Sequence, residues 1–204
     1  MLTLSAAGGE GPEYLATQFK QEKDAGIRAN LLQALAYSRD RKLAEPLLVP
    51  AMKDPNALVR RTTMNILGAF GRDSKEAFEA FTFGLKDSDN QVRTSAANIG
   101  SFYGNKSWEA LEDALKTAKD SGFRQAILQT LLNTQYNSKA SVTPLIECLK
   151  DGQYNVRQFA CHVLGNIGPD AAAALPALRD LQNNPNSNVQ TSARNAIGRI
   201  ESKK

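Results

Sequence analysis

Few residues in this chain are suited to chemistry. His162 is the only histidine, and it follows Cys161 directly. A thiolate activated by an imidazole would be a nucleophile, but neighbours in sequence diverge by about 100° on a helix, so these two do not form such a pair. Carboxylates recur at helical spacing as Glu76 with Glu79, and as Glu109 with Glu112 and Asp113. Paired carboxylates can run acid–base catalysis, yet on amphipathic helices they read as a solvated outer face. One histidine and two cysteines, Cys148 and Cys161, cannot supply a metal-ligand cluster. No phosphate-binding or dinucleotide glycine motif occurs, and "GGEG" near the start is too degenerate to count. The expectation is no catalysis, no metal and no cofactor, which favours a binding role.

The residues that could bind become visible only once the elements carrying them are known. An apolar–Arg pair recurs as Ile27-Arg28, Val59-Arg60, Val92-Arg93, Phe123-Arg124 and Val156-Arg157, with an altered sixth copy at Val189-Gln190. Successive anchors lie 31 to 33 residues apart, within the range of stacked-repeat architectures. From each anchor, positions 0, 4, 7, 8 and 11 are mostly apolar, as in Val156, Ala160, Val163, Leu164 and Ile167. That spacing lays one stripe along a helix. A second amphipathic stretch precedes each anchor, such as "SVTPLIECLKD". Each repeat therefore reads as a helical hairpin, helix A then helix B, joined by an Asp/Asn/Gly/Ser turn. One hairpin cannot bury its apolar face alone, but stacked neighbours can. The cysteines fall in these stripes and read as free buried thiols. Pro50, inside "AEPLLVPAMKD", should kink the second A helix. Trp108 opens the fourth and reads as packing.

"DGQYNVRQFACHVLGNIG" and "DPNALVRRTTMNILGAFG" resemble HEAT repeats, particularly the short type similar to phycobilisome lyases. The resemblance spans roughly residues 12 to 201. It implies an all-α fold, a right-handed α-solenoid of about six hairpins, with the B helices lining the concave side. The boundaries read as a flexible arm over 1–11, then one repeat domain over 12–204. Its hairpins fall near 12–38, 39–71, 72–104, 105–136, 137–168 and 169–204. HEAT-like di-iron hydroxylases are set aside because their ligands are His-Glu pairs.

Two columns are expected to be structural. Asp24, Asp54, Asp87, Asp120 and Asp151 lie in or beside the A–B turns, and Arg28, Arg60, Arg93, Arg124 and Arg157 border the core stripe. Each Asp can cap the following helix or pair with an Arg of its own or the adjoining repeat. A third column points away from the stripe. Position 6 reads Gln33, Asn65, Asn98, Gln129, His162 and Asn195, five amides in six. Asn is a mediocre helix residue, so local propensity does not explain the column. Position 10 adds Tyr37 and Phe102 beside it, with Asn133, Asn166 and Arg199 further along. Carboxamides both donate and accept. Such a row resembles the Asn ladder by which armadillo repeats hold peptide backbones, and it equally fits amides that bond to one another.

The net charge of +4 is mild, and the exposed B-helix columns hold few basic residues, which argues against nucleic acid. No apolar run is long enough to cross a membrane. "MLTLSAAGGEG" could be the remnant of a leader but lacks a basic segment and a long apolar run, so the expected location is cytoplasmic. The favoured function is a scaffold binding a protein or extended peptide on the B-helix face. Alternatives are an accessory or chaperone factor resembling bilin lyases, and a nucleic-acid-binding HEAT-like protein.

Overall fold

Every B helix begins two residues before its anchor, and most begin on a side-chain cap. Asp24 Oδ1 accepts the Ile27 N–H at 2.9 Å, Asn56 the Leu58 N–H at 2.9 Å, and Asp120 the Phe123 N–H at 2.8 Å. Each cap satisfies a donor that the first helical turn leaves open. The computed structural model describes residues 11–202. Of the predicted arm only Gly11 falls within them, and Lys203 and Lys204 lie outside.

The chain divides into two compact units, Met1–Phe102 and Tyr103–Lys204. The first carries three hairpins: α1 (Gly11–Gln21) with α2 (Ala25–Ala36), α3 (Glu45–Ala51) with α4 (Ala57–Ile66), and α5 (Lys75–Leu85) with α6 (Asn90–Tyr103). The second carries α7 (Trp108–Thr117) with α8 (Ser121–Asn133), α9 (Val142–Cys148) with α10 (Tyr154–Ile167), and α11 (Leu175–Asp180) with α12 (Ser187–Glu201). Short 3-10 turns link them, and no strand occurs among the described residues. The fold class is an α-solenoid of helical hairpins.

The stripe read from the sequence is the core. Val59, Val92, Val156 and Val189 have no exposed surface. Ile27 differs, at 48% exposed, and Ala29 and Leu32 are buried in its place. Gly84 in α5 marks a close approach: a Cβ there would lie 2.5 Å from Met64 Sδ and 2.9 Å from Ala96 Cβ. Three hairpins stop on glycines of positive φ, Gly71, Gly104 and Gly168. After α8 a positive φ falls to Gln135, at 56°, which costs an L-residue about 1–2 kcal/mol. Pro50 lies in the last turn of α3, which ends one residue later. Trp108 packs edge-on against buried Tyr136, 5.1 Å between ring centres, and its indole N–H donates to Thr134 Oγ1 at 2.9 Å. Tyr136 in turn donates to Glu112 Oε1 at 2.7 Å, so Glu112 is a structural acceptor. Cys148 and Cys161 are buried and free, and burial pushes each thiol up to about 12, which leaves them unreactive.

The hairpins are tied by rungs. Arg28 Nε and Nη2 donate to the Asp54 carboxylate at 2.7 and 2.9 Å. Arg60 repeats the pattern on Asp87 at the same distances. Nη1 of each Arg donates to carbonyls of its own A–B turn: Glu22 and Lys23 for Arg28, Asp54 and Pro55 for Arg60. In the second unit Arg124 Nη1 reaches Asp151 at 2.8 Å, and Ser121 joins the same carboxylate. The aspartate column therefore holds two roles. Asp54, Asp87 and Asp151 stand five residues before an anchor and form rungs, whereas Asp24 and Asp120 stand three before and are caps. Asp87 has a side chain only 6% exposed, so Asp87→Ala strands the Arg60 guanidinium and should cost about 3 kcal/mol. Asp120→Ala should cost about 1 kcal/mol. Chemical denaturation of both variants measures the gap, and equal losses would contradict the split.

Candidate functional site

Position 6 of a B helix points away from the stripe at position 0, by the 3.6-residue period, and the side chains lie where that period puts them. In the first unit Gln33 on α2, Asn65 on α4 and Asn98 on α6 are all exposed. The Arg28–Asp54 rung ties α2 to the turn before α4, and Arg60–Asp87 ties α4 to the turn before α6, where Arg61 also contacts Gln91. Among the described residues the three side-chain amides make no hydrogen bond to the protein. The row is therefore not a ladder of amides bonded to one another: its donors and acceptors all face outward. Tyr37 caps the C-terminal end of α2 with its ring 67% exposed. Phe102 is half-buried, with the Arg72 guanidinium 5.5 Å from its ring centre. The sequence columns contain no sign of Arg72, which lies just past the stop glycine of the preceding repeat.

The second unit treats the same positions differently. Gln129 donates to Asn133 Oδ1 along α8 at 3.2 Å. His162 Nε2 lies 2.9 Å from Ser192 Oγ, in hydrogen-bond contact. Arg199 Nη1 donates to Asn166 Oδ1 at 2.8 Å. Only Asn195 stands exposed without a side-chain partner. Between α10 and α12, His162, Asn166, Ser192, Asn195 and Arg199 line a cleft of about 290 Å³. At its floor Gly165 lets the helices approach: a Cβ there would lie 3.3 Å from Ala196 Cα. Burial, then the nearby Arg199 charge, holds His162 below its ordinary value, so at neutral pH the ring is an uncharged hydrogen-bonding group. Ser192, which fixes that ring, carried no signal in the sequence beyond being a polar residue on a buried face.

Both rows consist of uncharged hydrogen-bonding groups. Among the described residues no group of three or more His, Cys, Asp or Glu side chains could hold a metal ion, and no helix is long and apolar enough to cross a membrane.

Acid should unlock the rungs. Burial opposes ionisation of Asp54, but the Arg28 hydrogen bonds, the Asn56 N–H and the two Arg charges outweigh it and hold the carboxyl below its ordinary range. Burial acts likewise on Asp151, outweighed by the Gln153 N–H, Arg124 and Ser121. A carboxyl lowered on folding contributes stability that is present at neutral pH and lost as pH falls through that range. The depressed His162 adds an earlier loss, beginning as pH falls through 6.5, where the unfolded chain takes up a proton first. Melting curves from about pH 7 to 3 should fall in these two stages. His162→Gln should remove the first stage alone, and an unchanged first stage in that variant would contradict the assignment.

Comparison with known proteins places the architecture. The family model of HEAT repeats matches residues 12–100, 48–132 and 108–198. No curated protein sequence matches the chain. Among solved structures, an engineered protein is 22% identical with a TM-score of 0.67, each chain covered over 100% of its length. A designed armadillo repeat protein in complex with the peptide (KR)4 is 21% identical with a TM-score of 0.64, covering 93% of this chain and 98% of its own. The N-terminal domain of MAST/Orbit is 16% identical with a TM-score of 0.54, covering 90% and 95%. At these identities the likeness is one of fold.

Proposed function

This chain belongs to the HEAT-repeat family, and from that premise we propose that it is a protein-interaction scaffold without catalytic chemistry, holding an extended peptide segment on a B-helix face. The observation that carries the reading is the outward row of the first unit, Gln33, Asn65 and Asn98, whose amides have no partner in the protein. A carboxamide matches a peptide group donor for acceptor. Packed helices lie about 8–10 Å apart and an extended chain advances about 3.4 Å per residue. One amide per repeat would therefore meet the peptide backbone every two to three residues. Tyr37 and the Arg72-covered face of Phe102 supply aromatic surface at the edges of the row, the residue type that most often anchors a partner. Gln129, His162 and Asn195 form the counterpart in the second unit, already engaged in part by Asn133 and Ser192, and so poorer in spare donors and acceptors. The armadillo design bound to (KR)4 supports the reading by analogy of fold.

The test uses displayed peptides of about ten residues selected on the full chain. Each is then measured against a variant carrying Gln33→Glu, Asn65→Glu and Asn98→Glu. These changes keep helix propensity and replace donors with charge. The selected peptides should lose about tenfold or more in affinity while circular dichroism and melting stay unchanged. Equal binding to both forms would remove the row from the function.

A further inference from the structure

The ladder of rungs has an open place in the second unit. Arg157 stands at the same position of its B helix as Arg28 and Arg60, directly after the anchor. Its guanidinium is held in the same pose: Nη1 donates to the carbonyls of Asp151 and Gly152 at 2.6 and 3.0 Å. Arg60 does this with Asp54 and Pro55. On Arg28 and Arg60 that pose aims the Nε–Nη2 edge at the aspartate of the following A–B turn. For Arg157 the matching position, five residues before Val189, is Asn184.

An amide cannot play the aspartate's part. Each rung aspartate uses one oxygen for the N–H two residues on, as Asp54 does for Asn56 at 2.8 Å and Asp87 for Asp89 at 2.8 Å. The second oxygen takes the Arg Nε, and Nη2 shares the first. Asn184 Oδ1 accepts from the Asn186 N–H at 3.1 Å, and what remains is an NH2, a donor. Arg157 is all donor. Nε of Arg157 is accordingly buried without an acceptor. Beside it an open cleft of about 450 Å³ is lined by Arg157, Gly152, Gln153, Tyr154, Pro185 and Asn186, with Tyr154 46% exposed.

We propose that this cleft receives a carboxylate from outside the repeat, the acidic side chain of a bound protein segment, on the Nε–Nη2 edge of Arg157. The site lies on the A–B turn edge and is independent of the amide row. The fixed Nη1 bonds pre-organise the fork, so the ligand gains a charge-assisted, two-point bond without ordering the Arg. Asn184 is half-buried, and its amide turns outward as the carboxylate enters. Tyr154 and Pro185 give the flanking residue of the ligand an apolar wall. Acidic segments are selected, because a neutral amide offers the fork one acceptor oxygen and no charge.

The test is side-chain NMR of the arginine Nε–H groups in the full chain, with the Arg157 signal assigned by its loss in Arg157→Lys. The probes are N-acetyl-aspartate N-methylamide, its asparagine counterpart, and inorganic phosphate, at matched ionic strength. The aspartyl probe should move the Arg157 signal saturably and the asparaginyl probe should not. Asn184→Asp fills the place from within. It should abolish the response and raise the melting temperature by about 2–4 °C. A response unchanged in Asn184→Asp, an equal response to the asparaginyl probe, a response to phosphate alone, or no saturable response to the aspartyl probe would each overturn the proposal.

Discussion

A guanidinium fixed at the start of one B helix, gripping a carboxylate in the following turn, is the contact on which this architecture rests. Apolar stripes alone would let neighbouring helices slide, since hydrophobic burial has no direction. The rung supplies direction. One nitrogen of the guanidinium is bound to the Arg's own turn, Nη1 in Arg28 and Arg60 and Nε in Arg124, so the remaining donors can meet an aspartate in one register only. The cost of removing these charges from water is high, and it is met by giving every oxygen and most donors a partner: a turn N–H on one carboxylate oxygen, the Arg on the other and, in the first unit, on both, and Ser121 as an extra donor to Asp151. The exposed face inherits its spacing from this register, because a helix locked at its first turn has no freedom left to rotate its sixth position.

Much of this was legible from spacing. Six phased anchors, the stripe at positions 0, 4, 7, 8 and 11, and the outward column at position 6 are consequences of a 3.6-residue period; the stripe is displaced only in the first repeat, where Ala29 and Leu32 are buried in place of Ile27. The two roles of aspartate were legible only in part. Asp54 and Asp120 look alike as residues near a turn; they differ by two positions relative to the anchor, and only the geometry of the cap and of the Arg fork separates them. Other features depend on distance in space. Arg72 meets Phe102 and Glu112 meets Tyr136 from opposite ends of one repeat, and Ser192 meets His162 across two, and nothing in the local pattern of either partner announces the other.

The two units have put one repeat to different use. In the first, the outward amides are exposed and left without protein partners, free to bond water. In the second, the corresponding groups are tied to neighbours across and along the helices, and a depressed imidazole stands in for one amide. A single Asp-to-Asn difference at position 184 likewise turns a structural rung into an unfilled cationic fork. Repeats allow this because each hairpin touches only its neighbours, so one position can change its task while the stack stays intact.

The central claim is that an extended peptide lies along the amides of the first unit. Its most direct test is the NH2 resonances of Gln33, Asn65 and Asn98 in the full chain, followed as a selected peptide is added to saturation. The account predicts that all three shift together and saturate at one ratio, while the exposed amides of the A–B turns stay still. Shifts confined to the turns or to the A helices, with these three unmoved in the saturated complex, would contradict it.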